Sequence, residues 1–130
     1  MPHLSIEYSS NLDRRLDIQQ LCEVVHRELA DCGLFEIGAL RVRAIRCDAY
    51  AIADCMTQNA FVDMSLRMGA GRNEEDRKRA GLAIFEATSV FLQPLLVEPH
   101  FALSLEIREI HPVLSWKLNA IHPRLRAQRK

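Results

Sequence analysis

The sequence has no hydrophobic run approaching the ~18–20 residues that span a bilayer, so a membrane helix is not expected. It has no charge of one sign in excess. Seventeen basic side chains balance seventeen acidic ones, which argues against a dedicated nucleic-acid binder, since phosphate binding needs a clear basic surplus. Its start, Met1-Pro2-His3-Leu4-Ser5-Ile6-Glu7, lacks a charged segment followed by an apolar stretch, so no export signal is expected and the location is read as cytoplasmic. The four cysteines, at 22, 32, 47 and 55, contain no C-x-x-C pair, which leaves neither a zinc site nor a thioredoxin-like site indicated. Reduced thiols are the expectation. The five histidines lack the i, i+4 spacing around a glutamate that zincin-type sites use, and no metal is expected.

What is present is one domain's worth of chain, residues 1–130, with 48% hydrophobic residues, enough for a real core. Leu4, Ile6 and Tyr8 alternate with Ser5 and Glu7, the period-2 pattern of a half-buried strand. Ile18, Leu21, Cys22, Val25 and Leu29 form one helical stripe, with Asp17 placed to cap it and Gly33 placed to end it. A second strand is predicted over about residues 40–52 and a third over 60–68. The Gly69-Ala70-Gly71-Arg72 turn leads into a long helix predicted from Asn73 to Val97. Asn73 caps it, and Ile84, Ala87, Phe91 and Leu95 supply its stripe, widened by Leu82, Phe85 and Val90. Pro94 is expected to kink or end it. A fourth strand spans about 101–110, and a basic tail (111–130, with Arg124, Arg126, Arg129 and Lys130) reads as a capping or partner-contacting segment.

The order is β-α-β-β-α-β. The halves start near residues 2 and 60 and their second strands near 40 and 101, a constant offset that suggests duplication of a β-α-β unit (about 2–52 and 60–110). The expected fold class is α+β, with helices packed on one face of a four-stranded sheet. Phe61, Ile45 and Cys47 fall on the other face, which would then need a partner, and homo-oligomerisation is the natural solution.

Three features bear on chemistry. Arg41 and Arg43 share one face of the second strand, as an anion site or as a solvated edge. The Gly-Ala-Gly-Arg turn is not a dinucleotide fingerprint, because the third glycine would fall at Glu74 and acids follow at once. It places Arg72 at a helix start, either to bind a carboxylate or to pair with local acids. Pro2 becomes the first residue if Met1 is removed. It is then either a strand-opening proline or a rigid secondary amine able to act as a base when uncharged, which burial and nearby arginines both favour.

These residues carry a resemblance. Met-Pro-His-Leu-Ser-Ile-Glu-Tyr-Ser-Ser-Asn-Leu at the start, Ala60-Phe61-Val62-Asp63-Met64, the turn ending at Arg72, and Leu105-Glu106-Ile107-Arg108-Glu109-Ile110-His111-Pro112 resemble the 5-carboxymethyl-2-hydroxymuconate isomerase family of the tautomerase superfamily. The resemblance covers residues 2 to 119. It implies a tautomerase-like duplicated β-α-β fold assembled as a homotrimer. It implies ketonisation of a muconate-type dienol from homoprotocatechuate (4-hydroxyphenylacetate) catabolism, without metal or organic cofactor. By the same resemblance Pro2 is the catalytic residue, and Arg41, Arg43 and Arg72 bind a carboxylate-rich substrate. The first half has Ser9-Ser10-Asn11-Leu12 in place of a Gly-Arg turn, and the second has Ala60 near the place of a second proline, which implies one site per chain. His3 is adjacent to Pro2 but faces the other side of the strand, and no catalytic role is expected of it. Phenylpyruvate-type tautomerisation, dehalogenation or hydration on the same scaffold remains open. So does a non-catalytic module or a ferredoxin-like regulatory domain that binds a small acid.

Overall fold

The computed structural model describes residues 1–128; Arg129 and Lys130 of the basic tail lie outside the described residues. Strand β1 (His3–Ser9) buries Leu4, Ile6 and Tyr8, as the alternation requires. Helix α1 (Ile18–Asp31) turns Leu21, Val25 and Leu29 into the core. It starts at Asp17, whose carboxylate accepts the Gln20 N–H at 3.0 Å, and Gly33 follows its end at φ 79°, a conformation glycine adopts without cost. Strand β2 (Arg41–Cys47) runs parallel to β1, with His3 opposite Arg41.

β2 is shorter than the predicted 40–52. Residues 48–59 form a loop, because Asn59 captures it from a distance. Its side-chain amide donates to the Ile52 carbonyl (3.0 Å) and to Asp54 (2.7 Å), and the chain takes positive φ at Ala53, between these anchors, and at Cys55, just after them. Strand β3 (Ala60–Gly69) is antiparallel to β1 and buries Val62, Met64, Leu66 and Met68. Helix α2 (Glu74–Phe91) is capped by Asn73, which accepts the Asp76 N–H at 2.8 Å. It ends before the predicted Val97. Pro94 cannot donate the hydrogen bond that would continue it, so the chain restarts as the single turn α3 (Gln93–Leu96). The stripe of α2 is also narrower than predicted. Ile84 and Thr88 are buried, whereas Leu82, Phe85 and Val90 are exposed. Strand β4 (Phe101–Ile110) is parallel to β3 and packs Phe101, Leu103, Leu105 and Ile107 on the core.

The sheet order is β2-β1-β3-β4, two parallel β-α-β units joined antiparallel through β1 and β3. Both long helices pack on one face, an α+β arrangement. The opposite face is not the apolar surface the sequence suggested. Ile45, Cys47 and Phe61 sit among Ser5, Glu7, Arg43, Asp63, Ser65, Ser104 and Glu106, and one row across the sheet reads Arg41, His3, Arg67, Arg108. After β4 an exposed strap, residues 111–120, crosses back to the start of the chain. It ends in α4 (Ile121–Gln128), a helix with no buried residue and no apolar period to announce it.

Candidate active site

The strand register decides what surrounds the chain start. Pro2 is buried at the head of β1, and its carbonyl accepts the Arg41 N–H at 3.2 Å. Arg41 points back along the same end. One guanidinium nitrogen donates to the carbonyls of Gly38 (3.0 Å) and Leu40 (2.9 Å), while the other lies 3.9 Å from the Met1 sulfur. Arg72 is fixed by backbone as well, donating to Gly69 O (3.2 Å) and Leu34 O (3.0 Å), and it stacks 4.8 Å from the Phe35 ring centroid. Gly71, at φ 108°, makes the turn that aims it. Pairing of Arg72 with local acids is therefore not what holds it. The neighbouring acids Glu74, Glu75 and Asp76 occupy the first turn of α2 instead, where the helix dipole favours them.

Arg43 is placed differently. It lies one row further along β2, exposed, with a guanidinium nitrogen 3.2 Å from His3 Nδ1. The structure thus gathers Arg41 and Arg72 about the chain start and leaves Arg43 on the open sheet face. The N-terminal amine is held below its ordinary value by burial first, then by Lys117, and by the charges of Arg72 and Arg41. His3 is lowered as well, again by burial first, then by Arg67 and Arg43. Each cation nearby disfavours a further positive charge.

A cleft of about 390 Å³ opens beside Met1, within the usual range for small-molecule sites. Its walls are the ends of β1, β3 and β4 and the strap. Arg41, Arg43 and Arg72 do not line it. Its ionisable side chains are His3, Arg67, His111 and Lys117, and no carboxylate lines it. Sequence reasoning did not bring His111, Trp116 and Lys117 to this cleft, because the strap's return was not legible in any period, and so it also left Arg67 as an outward-facing residue of β3. The strap is braced within itself at its start and tied to the body at its far end. His111 Nδ1 accepts the N–H groups of Val113 (3.1 Å) and Leu114 (2.9 Å). Asn119 donates to the Gly38 carbonyl (2.9 Å) and accepts from the N–H groups of Ile121 (2.8 Å) and His122 (3.1 Å), which caps α4.

Among the described residues no three of His, Cys, Asp or Glu gather to hold a metal ion, and no helix is long and apolar enough to cross a membrane. All four cysteines are free thiols. Cys22 packs against the core, and its thiol is pushed up mainly by burial.

The chain is similar over nearly its whole length to proteins of one kind. The family model described as 5-carboxymethyl-2-hydroxymuconate isomerase matches residues 2–125. The 5-carboxymethyl-2-hydroxymuconate Delta-isomerase of Escherichia coli is 37% identical over 122 residues, covering 94% of this chain and 97% of that one. The crystal structure of a 5-carboxymethyl-2-hydroxymuconate isomerase from Deinococcus radiodurans R1 superposes with a TM-score of 0.88 at 36% identity, covering 95% of this chain and 93% of that one. At the level of fold alone, a fused 4-OT solved as a symmetric trimer matches with a TM-score of 0.58 at 16% identity, covering 89% of this chain and 93% of that one. With the family model matched over residues 2–125 and the Escherichia coli relative 37% identical across 94% of this chain, the chain belongs to the 5-carboxymethyl-2-hydroxymuconate isomerase family.

Proposed function

We propose that this chain, once Met1 is removed, ketonises 5-carboxymethyl-2-hydroxymuconate with the Pro2 nitrogen as the proton carrier. The observation that supports this most directly is the burial of Pro2 at the head of β1 beside Arg41. With Met1 attached, the proline nitrogen is an amide and has no basicity. The Met1 sulfur also lies against the Arg41 guanidinium. Excision of Met1 therefore frees a base and uncovers an anion-binding group in one step.

The chemistry follows from charge. Arg41 and Arg72 carry donors beyond those spent on backbone carbonyls, and neither is in an ion pair among the described residues. Each can take a substrate carboxylate through its fork. Arg43 stands one row away, as a second-rank contact for a long substrate. Neutral Pro2 nitrogen takes the enol proton. The electron pair of the O–H bond forms the carbonyl, the diene shifts, and the proton returns from the ammonium to the far end of the diene. No atom is gained or lost, so no cofactor is required. Arginine beside the 2-oxygen stabilises the charge that develops there.

We propose a homotrimer as the working form. The fold relative above is a symmetric trimer, and in this chain the strap leaves Val113, Leu114, Trp116 and Leu118 exposed.

The test is the ultraviolet absorbance of 5-carboxymethyl-2-hydroxymuconate, followed with untagged protein whose N-terminal mass shows free Pro2. Ketonisation far above the spontaneous rate is expected, with loss of this rate when Met1 is retained. Full activity with Met1 retained would remove Pro2 as the base. No acceleration with free Pro2 would remove the substrate assignment.

A further inference from the structure

One side chain of the strap, Lys117, faces the cleft together with Arg67. Several arginines find carboxylates, Arg15 with Glu98, Arg46 with Asp13, Arg77 with Glu109, Arg108 with Glu106 and Arg126 with Glu36, whereas Arg14, Arg27 and Arg124 are exposed and in no ion pair among the described residues. The cleft differs in having no acid in its lining. Among the described residues Arg67 and Lys117 are in no ion pair, and no carboxylate lines the wall they share. Two unpaired cations converging on a concave, acid-free wall are an anion site by charge and by shape. The strap is not a loose tail, since it continues from β4 through a turn braced by His111, and Asn119 fixes its far end to Gly38.

The two sets of cations also differ in kind. Arg41 and Arg72 are rigid forks, pinned to backbone carbonyls, and suit carboxylates held in the plane of a conjugated chain. Lys117 is a point charge on a flexible stem, which suits a carboxylate on a freely rotating carbon. We infer that Lys117, sharing the cleft with Arg67, binds the carboxylate of the substrate's carboxymethyl arm and so sets preference for a tricarboxylate over the corresponding dicarboxylate. This rests on the substrate reading above. It gives the strap a role at the site although the strap supplies no proton carrier. The suppression of the nearby amine's charge by Lys117 agrees with its closeness to the reacting end.

The experiment compares Lys117→Ala and Lys117→Arg with the unaltered protein, all with Pro2 free. Two substrates are used: 5-carboxymethyl-2-hydroxymuconate, and 2-hydroxymuconate, which lacks the arm. A charge-assisted hydrogen bond lost on binding corresponds to about a tenfold or greater rise in KM. That rise is expected for Lys117→Ala on the first substrate only, with kcat changed much less and with Lys117→Arg restoring most of the loss. Lys78→Ala removes the same unit charge from α2, away from the cleft, and is expected to leave both KM values unchanged. Equal effects on both substrates, as a merely displaced strap would give, would overturn the inference, and so would no effect on either. Calorimetric titration separates this from failure of the activity itself. The saturated acids 2-(carboxymethyl)hexanedioate and hexanedioate bind without reacting. Selective loss of the first in Lys117→Ala sustains the subsite even if the unaltered protein turns over neither dienol, and undiminished binding of the first overturns it.

Discussion

At the scale of single residues, the site is an argument about one amine and the cations around it. Neutral amine is the form that can take a proton, so its fraction grows as pH rises through its pKa. Burial, Lys117, Arg72 and Arg41 all hold the amine at the chain start below the ordinary α-amino range near ~8. Pro2 lies one residue deeper in the same surroundings. The amine of Pro2 freed by excision meets the same cations, so the kcat/KM profile is expected to rise on an acidic limb below the ordinary range of an exposed prolyl amine. Removing a neighbouring cation raises the amine's pKa, so in Arg72→Ala the limb is expected to move to higher pH while activity falls. A limb that stays in place would show that Arg72 does not act on the base. Pro2→Ala keeps a primary amine in a more mobile frame, and a partial loss within the ~10²–10⁴-fold span of general acid–base help is expected in the same assay. The residue types were legible in the sequence, where Pro2, Arg41 and Arg72 stood out. Which of the two β2 arginines turns to the chain start was not. Both alternate onto one face, and only the pairing of Pro2 with Arg41 separates them.

At the scale of elements, periodicity carried the reading where an element buries one face, and failed where a distant residue decides. β1, α1 and β3 were legible because burial against the core imposes period 2 or 3.6 on them. The end of β2 was not, because Asn59 sets it across the loop. The strap and α4 carried no apolar period, since their place is set by polar anchors. Glu36 holds Arg126 at 2.6 and 2.8 Å, and Asn119 holds Gly38. Gly38 is where these anchors meet the site, because its carbonyl also accepts from Arg41. A Cβ at this position would lie 2.7 Å from the His122 Nδ1 and 3.3 Å from the His122 Cα, the latter being backbone of α4. Gly38→Ala must therefore push α4 outward. The expected cost is about 1–3 kcal/mol, the usual range for overpacking, read from urea unfolding. Activity should fall more than stability, through KM, because displacement of Asn119 loosens the strap carrying Lys117. A stable variant with unchanged KM would show that α4 does not position the site.

At the scale of the whole molecule, zero net charge conceals a division of labour. Many acids pair with bases over the outer surface, while Arg67 and Lys117 share a cleft that no carboxylate lines. The strap raises the remaining question of assembly. Trp116 and Leu118 are 84% and 101% exposed, with Val113 and Leu114 beside them, an apolar row that water does not favour and that self-association would cover. Light scattering is accordingly expected to give about 45 kDa, three copies of the 14.9 kDa chain in a closed ring. Trp116 is the chain's single tryptophan, so its emission reports the strap without labelling. Emission should be blue-shifted in the assembled state and move red on dilution as the trimer dissociates. Lys117 sits between Trp116 and Leu118, so covering those two side chains also fixes the lysine. The rise in KM for the tricarboxylate should then follow the red shift at the same protein concentration. A monomer whose emission is red and whose KM is constant at every concentration would mean that the strap works alone, held through Asn119.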